Sequence, residues 1–553
     1  MVKALRQQLN FSQRIRLTDN PRTLWLAILP VLLIIAPVLP GLYWALSPAW
    51  TAQVWQQLCL DPQLPQALES TLISSLLGSF LAALSAATLA MLIYPSALWI
   101  RLQRHLALLL SVPHAAFAVG MFFLLSPSGW LARAIAPVLG WVSPPTWISV
   151  QDPFGLSLAL ALAIKESWFL LWVLMALLGE QAVSRQMLVA RSLGYGRLQI
   201  WRAVLWPQLM PRLVWPMAAV LAYGLSVVDM ALVLGPGTPP TLAVLVWQWL
   251  IDASPDKQAL GAAASLLLLV LLLAMGGVAH LAWLVYRRQK KQHLPTGKRQ
   301  PKAVPVWLNL HIPLLGIGYL VVALLLLWSL AGPWFFPDFW PQSLTLRSWQ
   351  GLNWQPFWTT LWLATASSVL CVATTLVWLE WGPKRFNAII YLPLIVPVLP
   401  LVAGQYAALL RLRLDGQALG VLWSHLLMVL PYTLLTLVGA YRAFDTRLMT
   451  SARALGHSRL SACLRLKWPL LQRPIAACLA IGFAISVAQY LPTLFAGAGR
   501  FATVTTEAVA LSAGGNRRVL AVQALLQVVL PLAAFALAAL WPRFNSRNRL
   551  GLR

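Results

Sequence analysis

Charge is what this sequence has least of. Of its 553 residues only 10% are Asp, Glu, Lys or Arg, where soluble domains carry about a quarter. Acids are rarer still, 14 against 41 basic residues, for a net charge of +27. With 59% of the residues hydrophobic, water is excluded as the main solvent of the fold. Cysteine is scarce too: Cys59, Cys371, Cys463 and Cys478 form no C-x-x-C pair and have no histidine at ligand spacing, which excludes a zinc site or disulfide framework by pattern. A phosphate-binding G-x-x-x-x-G-K-[ST] loop is missing. The nearest candidate, Gly297-Lys298, has Gln292 at the first glycine position and Arg299 in place of Ser or Thr. There is no H-E-x-x-H, no nucleophile elbow and no polar stretch long enough to house an enzyme, so neither catalysis nor a cofactor or metal site is expected. Nucleic-acid binding requires the basic residues to form a solvent-facing stripe or arm. Here they sit in short clusters between apolar blocks.

Those blocks are what the sequence has in abundance. Each is near the roughly 20 residues that cross a bilayer core as helix. They lie near 24–46, 68–93, 106–126, 156–179, 213–234, 260–285, 310–331, 357–379, 388–410, 418–441, 474–496 and 519–541. The first is too long for a signal-peptide core and lacks a convincing cleavage site, so it reads as a span. The expected fold is an all-α membrane protein of twelve transmembrane helices in two homologous six-helix repeats, residues 1–290 and 307–553. A basic, proline-punctuated cytoplasmic linker, 291–306, joins them, and binding of anionic lipid by its charges is compatible with that role. About 32 of the 41 Lys and Arg fall on one set of alternate loops, together with both termini. Basic loops stay in the cytoplasm, so both termini are expected there. Arg411 with Arg413, and Arg517 with Arg518, fall on the wrong side, which casts doubt on the placing of span nine or twelve.

One cytoplasmic segment occurs twice, at an offset of 262 residues. Ala190-Arg191-Ser192-Leu193-Gly194, Arg197-Leu198, Trp206-Pro207 and Leu209 match Ala452-Arg453-Ala454-Leu455-Gly456, Arg459-Leu460, Trp468-Pro469 and Leu471, nine identities over twenty positions without a gap. Glycine is a poor interior helix residue and a good terminus, so each copy reads helix, glycine, helix. The second helix is expected to run from about Arg197 to Trp206, and from Arg459 to Trp468, until proline ends it. Leu198, Trp201 and Leu205 share one of its faces. A basic amphipathic helix resting on the lipid interface would look similar, but duplication with the Gly and Pro spacing held favours a common docking function.

At these residues the chain resembles the permeases of ABC importers, whose cytoplasmic motif is E-A-A, three residues, Gly, nine residues, then I-x-L-P. Both copies keep that spacing, ending in Val204-Leu205-Trp206-Pro207 and Leu466-Lys467-Trp468-Pro469. The motif's glutamate falls on Leu188 and Thr450, and its first alanine on Val189 and Ser451, so the acid is missing twice. Over nearly its full length the chain is similar to fused permeases of the ferric-iron and thiamine type. The resemblance implies the type I importer architecture, peripheral first spans, location in a bacterial inner membrane, two copies of a cytoplasmic ATPase as partners, and a periplasmic or lipid-anchored solute-binding protein. It implies that the short helix after each glycine docks on an ATPase. The residues so marked are Ala190, Leu193, Gly194, Arg197, Leu198, Trp201 and Pro207 in one copy, and Ala452, Leu455, Gly456, Arg459, Leu460, Leu464 and Pro469 in the other.

Polar residues inside the apolar blocks are costly and face protein or a water-filled cavity. Lys165 and Glu166 lie mid-span, about 100° apart on a helix, so each is free to seek its own partner, whether for structural pairing or on a translocation path. Asp229 and Gln489 occupy matching places after Ser226-Val227 and Ser486-Val487. An acid in this region is common in the family resembled, which suits Asp229 but not Gln489; pathway gating and helix-to-helix hydrogen bonding both remain open. His114 and His425 are proton carriers in the rival reading, a twelve-helix secondary transporter driven by an ion gradient, and packing residues otherwise. Prolines in spans three and nine should bend those helices beside a cavity. The solute is unspecified: iron or another small cation, thiamine and oxyanions all fit.

Overall fold

A computed structural model describes residues 21–292, 306–383 and 386–545. The linker from 293 to 305 and the chain ends lie outside the described residues. Among the described residues the chain is helical throughout, relieved by a single isolated bridge between Ala331 and Leu344. Ten helices are long and apolar enough to cross a membrane, eleven if Arg459–Leu470 and Gln472–Val487, bent by 81° at Leu471, form one span. That falls short of the expected twelve. The shortfall is at span nine, where 388–410 is divided among Asn387–Ile390, Leu392–Ile395 and the fifteen-residue Val398–Leu412. Pro393, Pro397 and Pro400 each lack the N–H that an uninterrupted helix needs, and Pro397 is extended at φ −52°, ψ 143°.

Other blocks are also broken, at matched places. The third gives Ala97–Ser111 and His114–Leu125, interrupted at Val112-Pro113. The fifth gives Trp206–Ser226 and Asp229–Leu234; the eleventh gives Gln472–Val487 and Leu491–Gly497. Short helices follow, Leu242–Leu250 and Val504–Ser512. One hydroxyl anchors each of them. Thr71 Oγ1 accepts from Leu242 N at 2.7 Å and donates to Ala67 O, while Thr360 Oγ1 accepts from Val504 N at 2.9 Å and donates to Pro356 O. The duplication read in the cytoplasmic segment therefore recurs in hydrogen bonding at the far end of the bundle.

Lipid tails are as apolar as leucine, so helices in a membrane associate by close packing of small residues. Leu64–Ile93 carries Ser70, Ser74, Gly78, Ala82 and Ala86 at four-residue spacing and packs along Leu156–Leu178. A Cβ on Gly78 would come within 3.1 Å of Leu162 Cβ. In the second half Gln355–Trp381 packs on Gln472–Val487, where a Cβ on Gly482 would meet Ser368 Oγ at 2.9 Å.

The first span of each half crosses over. Val38–Leu46 lies against Val398–Leu412 with Gly41 and Gly404 back to back, leaving no room for a Cβ on either. Trp423 Nε1 donates to Ile34 O at 3.0 Å across the same boundary. Leu314–Leu330 packs on Arg517–Asn545 of its own half and reaches across to His114–Leu125, where Gly120 meets Val321, and Gly318 seats against Leu109 and Trp168. One hydrophobic core thus runs through both halves.

Candidate coupling segments and the intramembrane polar cluster

In each repeated segment an isolated helix precedes the glycine, Gln181–Ser192 in one copy and Thr446–Ala454 in the other. Gly194 and Gly456 follow with φ of +82° and +87°, a left-handed conformation that costs a Cβ-bearing residue about 1–2 kcal/mol. The bonding is the same in both. Tyr195 N donates to Ala190 O and Gly194 N to Arg191 O; His457 N donates to Ala452 O and Gly456 N to Arg453 O. This is a Schellman turn, and it explains the spacing from Ala190 to Gly194 and from Ala452 to Gly456.

After the turn the structure departs from expectation. The helix beginning at Arg197 continues past Pro207 to Ser226 instead of ending. Five-residue π turns, Trp201–Leu205 and Cys463–Lys467, precede the prolines, with Trp206 N bonded to Trp201 O and Trp468 N to Cys463 O. The wider turn makes room for a ring that would otherwise strike the carbonyl four residues back. Neither Trp-Pro therefore ends a helix; the second copy bends only at Leu471. The face of Leu198, Trp201 and Leu205 is also turned inward, with Trp201 and Leu205 buried and Leu198 half-buried. The apolar side chains presented outward lie around the turn: Leu188, Val189 and Leu193 in the first copy, Leu455, Leu460 and Leu464 in the second. Ala190 and Ala452 are buried beneath it.

Arg197 and Arg459 point into the protein. Arg197 Nε donates to Met91 O at 2.6 Å and Nη2 to Leu92 O and Tyr94 O, capping the C-terminal end of Leu64–Ile93. Tyr94 itself donates to Leu178 O at 3.1 Å, and burial raises its hydroxyl above the usual tyrosine range, keeping it a donor. Arg459 makes the equivalent contact with Gln355–Trp381, Nη2 to Glu380 O at 2.6 Å and Nε to Glu380 Oε1 at 2.9 Å. Glu380 Oε2 also accepts from Lys467 Nζ at 2.7 Å and from Tyr441 OH. Glu380 escaped the sequence reading, although a single acid between Leu379 and Trp381 at the end of an apolar block was a signal.

Deep in the bundle, Lys165 and Glu166 do not pair. Lys165 Nζ donates to Val112 O at 2.6 Å and Leu109 O at 3.0 Å, carbonyls left free by the break at Pro113. Glu166 Oε1 meets His114 Nε2 at 3.1 Å, and the His114 ring lies 4.6 Å from that of Tyr223. Asp229 opens its short helix, where the helix dipole favours an acid. Asp229 and Tyr223 are half-buried, and in the other half Tyr432 is 40% exposed. His425 has both ring nitrogens on hydroxyls, Ser486 at 2.7 Å and Thr493 at 2.9 Å, as a packing residue would. Gln489 Nε2 donates to His425 O at 3.4 Å, whereas its Oε1 has no partner among the described residues. Among those residues no cluster of His, Cys, Asp and Glu could hold a metal ion.

No family model matches the chain. Among curated proteins it is 41% identical over 527 residues to the inner membrane ABC transporter permease protein YnjC of Escherichia coli, covering 95% of this chain and 97% of that one. It is 28% identical over 485 residues to the thiamine transport system permease protein ThiP of the same organism, covering 81% and 83%. A probable molybdenum ABC transporter permease of Haloferax volcanii is 28% identical over 152 residues, 24% of this chain and 54% of that one. The match to YnjC runs over nearly the whole of both chains, and with it the family is shown: the chain belongs to the inner membrane ABC transporter permeases.

Proposed function

We propose that this chain supplies both halves of an importer's solute pathway and couples each half to one copy of a cytoplasmic ATPase through the surfaces at Leu188–Gly194 and Thr450–Gly456. The observation that carries this reading is the repeated Schellman turn, with exposed leucine around it and an arginine beneath it tied to the end of the half's second span. Force applied at the turn would reach Leu64–Ile93 and Gln355–Trp381 directly. In this reading the turns and both termini face the cytoplasm, the short helices Leu242–Leu250 and Val504–Ser512 face a solute-binding protein outside, and residues 307–553 form the second repeat. Glu166, His114, Tyr223 and Asp229, with Tyr432 and Tyr490, line the path. Two acids among tyrosine rings favour a cationic solute, and thiamine, a cation, is the solute in ThiP's name.

The test is Gly194→Val and Gly456→Val, which load a left-handed position with a β-branched residue while nothing lies within 4 Å of a Cβ at Gly456. Both variants should insert and purify normally yet lose co-purification of the ATPase, the double variant more than either. In the same assay Asp229→Asn should keep the ATPase and lose solute uptake. Wild-type association by the double variant would overturn the assignment of the coupling surfaces.

A further inference from the structure

Arg133, Arg517 and Arg518 meet around a cavity of about 500 Å³, together with Ser128, Trp328 and Trp334. The cavity lies between the two halves at the start of Arg517–Asn545 and beyond the end of Leu314–Leu330. Since Gln355–Trp381 runs from this end of the bundle to Glu380, where Arg459 docks, the cavity is at the end opposite the coupling turns. It is also where basic residues are least expected.

Structural duty does not use up these guanidiniums. Arg133 is 2% exposed and spends Nε on Ser128 O at 3.0 Å and Nη1 on Phe335 O and Asp338 O, both at 2.7 Å, with its plane 4.8 Å from the Trp334 ring. Its Nη2 donors have no partner among the described residues. Arg517 gives Nη1 to Ser128 Oγ at 2.8 Å and faces Phe122 and Trp328. The Arg518 side chain makes no contact of either kind among the described residues. Asp338 is near enough to act on Arg133, but no ion pair joins them, and Arg133 and Arg517 repel one another. Concentrating like charge at a partly buried, aromatic-walled site is unfavourable unless an anion joins it.

The surroundings set the anion's source. Residues 331–345 fold back as a hairpin, with Gly332 N on Ser343 O and Thr345 N on Leu330 O. Its turn reads Trp334-Phe335-Phe336-Pro337-Asp338-Phe339-Trp340, with Phe335 66% and Trp340 61% exposed. An exposed aromatic tip level with the ends of two spans belongs in the headgroup layer, and a cavity beside it is at the depth of lipid phosphate. We propose that the Arg133–Arg517–Arg518 cavity binds the phosphate of an anionic phospholipid, with the hairpin tip as its anchor in the interface.

The test measures lipid retention by the full chain in mild detergent, titrated with phosphatidylglycerol, phosphatidylcholine or inorganic phosphate and read by native mass spectrometry. Wild type should retain phosphatidylglycerol in preference to phosphatidylcholine. Arg518→Gln, which removes a side chain with no hydrogen bond or ion pair among the described residues, should weaken that retention about fivefold, the fold-change for one basic charge near a membrane. Arg517→Gln/Arg518→Gln should weaken it further, and Arg518→Lys should restore most of it. Unchanged phosphatidylglycerol retention by both Gln variants would overturn the site. So would equal retention of phosphatidylcholine, displacement of the lipid by millimolar inorganic phosphate, or a loss confined to association with the solute-binding protein.

Discussion

At the scale of single residues, this molecule uses its few charges to hold broken backbone in place. Lys165 fills the gap opened by Pro113 and Arg197 caps the end of Leu64–Ile93. The second half replaces the bare carbonyl cap by a carboxylate, because Glu380 adds two oxygens to the C-terminal end that Arg459 grips and draws in Lys467 and Tyr441. The two proposed coupling surfaces are therefore anchored through different partners, and the second is expected to be the stiffer. Glu380→Gln leaves Lys467 and Arg459 with a neutral partner in a largely buried site, and removing one member of a buried ion pair costs about 3–5 kcal/mol. Amide hydrogen exchange should speed up across 459–467 while 197–205 stays protected as in wild type. Equal loosening of both segments, or of neither, would show that the carboxylate does not set the difference.

At the scale of elements, what could be read in the sequence was set by length and hydropathy. Blocks of some twenty apolar residues gave helices within a few residues of their expected places, Leu156–Leu178 and Gln355–Trp381 among them. The Gly spacing marked the Schellman turns. What failed was the reading of proline. At Pro397 the missing N–H does end a helix, but at Pro207 and Pro469 a π turn absorbs it, and only contacts distant in sequence decide which happens. The inward turn of the Trp201 face was not legible for a related reason, since i, i+3, i+7 spacing names a face but not the side it is turned to. Helix pairing was likewise illegible. Nothing local joins Gly41 to Gly404, yet they meet with no space for a Cβ. Gly41→Leu should overpack that crossing, which typically costs 1–3 kcal/mol. The purified variant should melt several degrees lower, while Gly316→Leu, where nothing lies within 4 Å, should melt as wild type.

At the scale of the whole molecule, exchange of first spans makes the two halves mutually dependent whether or not a linker joins them. Val38–Leu46 is seated on the second half through Gly404, and Leu314–Leu330 on the first through Gly120 and Leu109. Each half would therefore expose two interfaces if it were alone, and a shared core spans the boundary. This arrangement predicts that covalent continuity is dispensable. Cutting the gene between Gly297 and Lys298 and expressing the pieces together, each tagged, should give a complex that co-purifies, retains the ATPase and transports. Either piece alone should be degraded or aggregate. The experiment becomes more discriminating when the second piece begins after Leu330, without its first span. That piece still carries the rest of its half, the Gly456 turn included, but it leaves Gly318's partners Leu109 and Trp168 uncovered on that side. Co-purification should then fall sharply even though no residue of the coupling turns or of the Asp229 cluster has been removed. Equal recovery of the trimmed and untrimmed pairs would mean that Leu314–Leu330 is a passenger, and that the remaining packing between the halves, Val38–Leu46 on Val398–Leu412 included, holds them together without it.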